Sequence, residues 1–161
     1  MRRDLGHIVI SDERDLLQVE KVHAYLSNES YWAKGIPFET VLRSVENSLC
    51  WGVYHKGEQI GFARMITDQA TFAYLADVYI LENHRGKGLS KQLLKEILSH
   101  SKLQGLRRLM LATRDAHGLY AQFGFTVPED PQKLMQLVFP DMYSHIDNEW
   151  FLSQWVYGSI C

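Results

Sequence analysis

The spacing of apolar residues changes period several times along the chain, and each change marks an element. Residues 7–11 (H-I-V-I-S) read as a short first strand. From Asp15, the residues Leu16, Val19, Val22 or His23 and Leu26 fall at helical spacing, and the pattern stops near Ser27-Asn28. Residues 28–37 form a mostly polar loop with two adjacent aromatics, Tyr31 and Trp32. Pro37 suits the first turn of a second helix whose apolar residues are Phe38, Val41, Leu42 and Val45. Segments 49–54 and 59–67 predict a hairpin across His55-Lys56-Gly57-Glu58. Alternation in its second arm places Ile60, Phe62, Arg64 and Ile66 on one face.

Asp68-Gln69-Ala70 turns the chain into a strand over 71–81 that is apolar on both faces, and therefore covered on both. Tyr74 and Asp77 lie on it three positions apart, which predicts opposite faces. A polar, glycine-containing turn follows. The next helix carries Leu89, Leu93, Leu94, Ile97 and Leu98 on one stripe and Lys91, Gln92, Lys95 and Glu96 outside it. Residues 106–113 read as another strand and 116–123 as a short helix ending at Gly124. Residues 125–139 are expected to return as one or two strands, interrupted by Pro128 and Pro131. In the tail over 141–161, Ile146, Trp150, Phe151, Gln154 and Trp155 could line one side of a helix whose role is open. The order predicts an α/β fold, a mixed central sheet with helices on both faces.

Composition narrows the class. The chain has 161 residues, 46% of them hydrophobic, which fits one domain over 1–161 with a core large enough to fold alone. Its motif-bearing part covers about 49–127. A formal charge of −2 gives no electrostatic case for nucleic acid. Cys50 and Cys161 make no disulfide framework, and Cys50, in an apolar strand, is expected to be a buried thiol. The N-terminus lacks an apolar leader region, and no apolar run approaches 18 residues, so a soluble, cytoplasmic chain without membrane contact is expected. The seven histidines show no metal-ligand spacing, so no metal is expected.

Strand, glycine turn and helix start meet at 76–99, and that arrangement binds phosphate. Gly86 and Gly88 let successive backbone N–H groups converge without a Cβ in the way. The helix beginning there adds unpaired first-turn N–H groups and its positive dipole end. Arg85 and Lys87 supply mobile positive charge at the rim. A dinucleotide fingerprint would need a third glycine where Lys91 stands, and the P-loop pattern is absent.

The run V-Y-I-L-E-N-H-R-G-K-G-L-S resembles the acetyl-CoA signature of the GCN5-related N-acetyltransferases, [QR]-x-x-G-x-[GA] after a strand. Asn83 stands where Gln or Arg is usual. An overlapping register, Arg85-x-x-Gly88-x-Ser90, keeps the Arg and puts Ser last. Downstream, Leu119-Tyr120-Ala121-Gln122-Phe123-Gly124-Phe125 is similar to that family's L-Y-x-x-x-G-F segment. Together the motifs cover about 60–125.

The resemblance implies a sheet whose two central strands splay apart, here 71–81 and 106–113, to admit the pantetheine arm of CoA. It implies that acetyl-CoA is held by Val78, Tyr79 and Ile80 of the strand, by Arg85, Gly86, Lys87, Gly88, Leu89 and Ser90 of the turn and helix start, and by Phe123. It further implies direct acetyl transfer to a primary amine on a small molecule or peptide, with Tyr120 giving a proton to the CoA sulfur. The other reading of Tyr120 is a core aromatic beside Phe123. Asp77 is a candidate base or amine ligand, or else a structural carboxylate. Trp32, Arg64, Tyr74 and His117 are candidate acceptor contacts; the other readings are that Trp32 covers the core, that Arg64 forms a structural ion pair with Asp68 or Asp77, and that His117 is polar surface. A non-catalytic acyl-CoA-binding module and a nucleotide-binding regulatory domain are the competing readings. A homodimer is one open oligomeric state.

Overall fold

A computed structural model describes residues 2–4, 6–139 and 142–143. Its sheet runs in the order β1-β2-β3-β4-β5-β6, with strands β1 (Arg2–Asp4), β2 (Ile8–Ser11), β3 (Leu49–His55), β4 (Glu58–Thr67), β5 (Phe72–Ile80) and β6 (Arg108–Leu111). Among the described strands only β5 and β6 are parallel. Helices α1 (Val19–Asn28) and α2 (Phe38–Glu46) cover one face, α3 (Leu89–Leu98) covers the other, and α4 (His117–Ala121) follows β6. This is the expected α/β architecture. Among the described residues no helix is long and apolar enough to cross a membrane.

Two apolar clusters divide the core. Ile10, Trp51, Val53, Met65 and Leu75 meet Leu93, Leu94 and Ile97 of α3. On the other face Phe62, Cys50 and Tyr79 meet Val22, Tyr25, Leu26 and Val41. Phe62, Leu93 and Ile97 are fully buried, and each such side chain contributes about 1.5–3 kcal/mol. Cys50 is buried as expected, and burial pushes its thiol pKa up to about 12 despite the nearby Arg64 and Arg14.

The hairpin turns on Lys56-Gly57, both at positive φ, the geometry whose twist suits a two-residue connection. Two bulges then break the alternation. Val53 pairs with Gly61 and Tyr54 with Gln59, so Ile60 is an extra residue. It packs on the α3 side and not with Phe62, which corrects the face assigned from period 2. Phe62 pairs with Tyr79 and Arg64 with Ala76, so Asp77 and Val78 together face Ala63.

Three other expectations change. The first helix begins at Val19, not Asp15. Residues 14–16 make a separate 3-10 turn, because Gln18 N–H donates to Gln59 Oε1 at 2.8 Å and Gln18 Nε2 to the Gly57 carbonyl at 2.7 Å. Sheet contacts thus claim the chain where the helix would have continued. The strand expected over 106–113 shortens to 108–111. No strand forms within 125–139. A 3-10 turn at Pro131–Lys133 is present instead, and Met135, Leu137 and Val138 are exposed with no ladder to bury them. Among these residues Pro128 and Pro131 supply no backbone donor. The tail helix expected around Ile146–Trp155 lies outside the described residues.

Candidate active site

The site is built where β5 leaves β6. Residues 72–75 of β5 pair with 108–111 of β6, and among the described residues no β6 pairing continues beyond Leu75. Residues 76–80 remain bound to β4 alone. The two strands therefore part as expected, and Val78 and Ile80 lie on the β5 segment that flanks the opening.

At its end a 3-10 turn over Glu82–His84 leads to Gly86 and Gly88, each at φ +74, and Gly88 is the N-cap of α3. A Cβ built at either glycine meets no atom within 4 Å, so the space above the turn is open. Residues with side chains can take this φ only with strain. An open cleft beside the turn is lined by Ile80, Arg85, Leu89, Ser90, Lys91 and Leu119. His84 and Lys91 line or border it without having been expected there.

Arg85 differs from its expected part as mobile charge. Its Nε donates to the Ile80 carbonyl at 2.9 Å, and Nη2 reaches the Tyr25 hydroxyl at 3.4 Å. The side chain clamps the strand end to α1 while lining the cleft. Tyr25 stacks on Tyr79 with ring centroids 3.7 Å apart. Tyr79 itself is buried against α1 and Phe62, on the face away from Val78 and Ile80. Lys87 is exposed. No sequence signal marked Tyr25, whose role comes from long-range packing.

Asp77 sits in the bulge of β5 with φ +53, a left-handed conformation costly for a non-glycine residue in a strand. Its Oδ2 accepts from Arg64 Nε at 2.5 Å and its Oδ1 from Trp32 Nε1 at 2.8 Å. Arg64 Nη1 also donates to Ser48 Oγ at 3.2 Å. Of the two carboxylates considered for Arg64, Asp77 is the partner. Asp68 instead caps the backbone N–H groups of Ala70, Thr71 and Phe72. The bulge also overturns the expectation that Tyr74 and Asp77 face opposite ways. Tyr74 pairs with Ile66 on the same face of β4 as Arg64, and Asp77 reaches Arg64 on that face because the extra residue resets the alternation.

On the far side of the opening, Tyr120 lies in α4, 8% exposed, with its ring edge-on to Phe125 at 6.0 Å. Phe123 packs on the same core cluster. Burial raises the Tyr120 pKa, helped by Tyr31 and Asp115. Among the described residues its hydroxyl has no hydrogen-bond partner. His117 is exposed at the start of the same helix. Tyr31, from the loop between α1 and α2, lies under the Arg114 guanidinium, 3.9 Å from ring centre to carbon. Arg114 follows β6 and was not anticipated.

Comparison with known proteins agrees with this geometry. Residues 9–125 match the model of the acetyltransferase (GNAT) family. A protein of Gibberella zeae described as a candidate acetyltransferase is 37% identical over 139 residues, 73% of this chain and 77% of the relative. The crystal structure of a candidate GNAT-family acetyltransferase from Xanthomonas campestris is 48% identical with a TM-score of 0.84, covering 88% of this chain and 100% of that one. A GNAT family acetyltransferase of Brucella melitensis, solved in complex with acetyl-CoA, shares the fold at 21% identity and a TM-score of 0.60, over 75% of this chain and 84% of that one. The chain belongs to the GNAT acetyltransferase family.

Proposed function

We propose that the chain is an acetyl-CoA-dependent N-acetyltransferase that moves the acetyl group directly to a primary amine. The observation that carries the reading is the parting of β5 from β6 directly beside the glycine turn of α3. Gly86, Gly88 and the first N–H groups of α3 suit the pyrophosphate, with Arg85, Lys87, Leu89 and Ser90 around it. The opening along Val78 and Ile80 suits the pantetheine arm, and Phe123 belongs to its far wall. The Brucella protein solved with acetyl-CoA has the same fold, which supports this choice of cosubstrate.

Transfer needs a neutral amine held against the thioester carbonyl, and such positioning is worth up to about 7–11 kcal/mol. The amine nitrogen forms a bond to the acetyl carbon and gives up a proton to solvent, the carbon–sulfur bond breaks, and Tyr120 hands its phenolic proton to the departing sulfur and regains one from solvent. An ordinary phenol already holds its proton at neutral pH, and burial shifts Tyr120 further the same way. Trp32, Arg64, Tyr74 and His117 border the acceptor side in this reading. Asp77, a candidate base by sequence, has both oxygens engaged by Arg64 and Trp32, which favours a holding part over proton abstraction.

Titration calorimetry with acetyl-CoA, CoA and ATP, followed by a CoA-release screen over primary amines, tests the reading. Binding of both CoA species and amine-dependent release of CoA are expected. Binding of ATP alone would overturn it, and tight acetyl-CoA binding with no release for any amine would leave a binding module.

A further inference from the structure

The loop between α1 and α2 is fastened to both walls of the opening. Trp32 donates its indole N–H to Asp77 on β5, and its neighbour Tyr31 lies against Arg114 just after β6. The two aromatic rings meet edge-on at 4.9 Å, so the contacts act on one rigid pair. Both rings stay largely exposed, Tyr31 at 53% and Trp32 at 41%. Burial therefore does not hold them there, and directed contacts do. The Asp77 side chain, by contrast, is only 9% exposed and held in turn by Arg64.

A strained, nearly buried carboxylate aimed at an exposed indole is an expensive way to fix a loop unless its position matters. Residues in such backbone conformations persist only where their surroundings over-determine them. Here Arg64 fixes the carboxylate from below, Ser48 fixes Arg64, and the bulge presents Oδ1 to the loop. Asp77 lies in the β5 segment flanking the opening, one residue before Val78. The loop thus takes its position from the strand that holds the cosubstrate arm.

We propose that Asp77 is a positioning residue that latches the aromatic strap Tyr31–Trp32 across the gap between β5 and β6, and so shapes the acceptor side. This rests on the acetyltransferase reading above. The strap presents aromatic edges and faces, with a paired Arg64–Asp77 and no unpaired carboxylate of the latch. That lining favours amines carrying a flat or apolar group.

The test compares Trp32→Phe, which keeps the ring and removes the donor, with Asp77→Asn, which tolerates the left-handed backbone and removes the charge. Hydrogen exchange of the loop amides is the deciding measurement. Both variants are expected to speed exchange over residues 29–36 at least tenfold while binding acetyl-CoA within twofold of the parent. With tryptamine as a bulky acceptor, kcat/KM for CoA release should fall at least tenfold, and at least threefold more than with hydroxylamine, which needs no such lining. Unchanged loop exchange would overturn the latch, as would an equal loss with both nucleophiles. A parent that binds no acetyl-CoA would sink the acetyltransferase reading instead, and the exchange result would still judge the latch.

Discussion

At the scale of single residues, Tyr120 and Asp77 show how burial and partners assign roles that residue type leaves open. Both are polar side chains largely removed from solvent. Tyr120 has a hydroxyl without a partner among the described residues and a pKa raised by burial, which favours the neutral phenol. Asp77 has each oxygen already taken. Replacing Tyr120 by Phe removes the proton and little volume. Turnover should fall more than the apparent KM for acetyl-CoA changes. The loss belongs at or below the low end of the roughly 10²- to 10⁴-fold range of general acid catalysis, because a thiol of pKa about 8.5 leaves readily as thiolate. Steady-state CoA release measured from pH 6 to 9 checks this, and an unchanged kcat across that range would remove Tyr120 from the mechanism. Its identity was legible because a motif surrounds it. Tyr25, Tyr31's partner Arg114 and the Asp77–Trp32 bond were not, since each joins residues far apart in the chain whose meeting depends on the whole fold.

At the scale of elements, the sequence predicted regular pieces well and irregular ones badly, for a physical reason. Period 2 places side chains correctly only while the ladder is regular. One extra residue at Ile60 and another at Asp77–Val78 reset the alternation, and both resets are made by cross-strand pairing that no single strand reveals. The first strand, Arg2–Asp4, was missed because it carries no apolar alternation at all. The glycine turn was legible because its chemistry is local. Gly88→Val would place a branched side chain at φ +74 and push methyl groups into the open space above α3. Affinity for acetyl-CoA should drop at least tenfold by calorimetry while the circular dichroism spectrum stays that of a folded chain; equal affinity would mean that phosphate does not sit there. The turn joining β4 to β5 makes a pH prediction. Asp68 accepts from Ala70, Thr71 and Phe72 N–H and from the Thr71 hydroxyl, and these bonds hold its pKa below the ordinary carboxylate value. A depressed folded pKa adds stability above the unfolded pKa of about 3.9 and loses it as pH falls through the folded value. The melting temperature gap between parent and Asp68→Asn should therefore be constant above about pH 5 and close below about pH 4. A gap that widened on acidification would assign the turn's stability elsewhere.

At the scale of the whole molecule, β6 ends the described sheet and pairs with β5 over only four residues, so part of what holds this end of the sheet must come from packing outside the ladder. Helix α3 does much of this, because Leu93, Leu94 and Ile97 are wholly buried against strands on both sides of the hairpin. A polar tie adds to it from the far edge. Arg3, in the edge strand β1, donates through Nη1 to Glu96 Oε1 of α3 at 2.8 Å. The Glu96 side chain is only 4% exposed, whereas that of Arg3 is 42% exposed. Cutting the pair from either end should thus have unequal effects. Arg3→Ala leaves a buried carboxylate without its counter-ion, for which the usual cost of about 3–5 kcal/mol falls to about 1–3 kcal/mol because water reaches the arginine side. Glu96→Gln removes the charge that needed compensation and should cost less. At about 2–4 °C per kcal/mol for a chain of this size, the two variants should be separable by calorimetric melting, with Arg3→Ala the lower. Raising salt should narrow the difference only slightly, since a buried carboxylate is poorly screened. Should Glu96→Gln melt lower than Arg3→Ala, the buried carboxylate itself, and not its pairing with β1, would be what anchors α3 to the sheet.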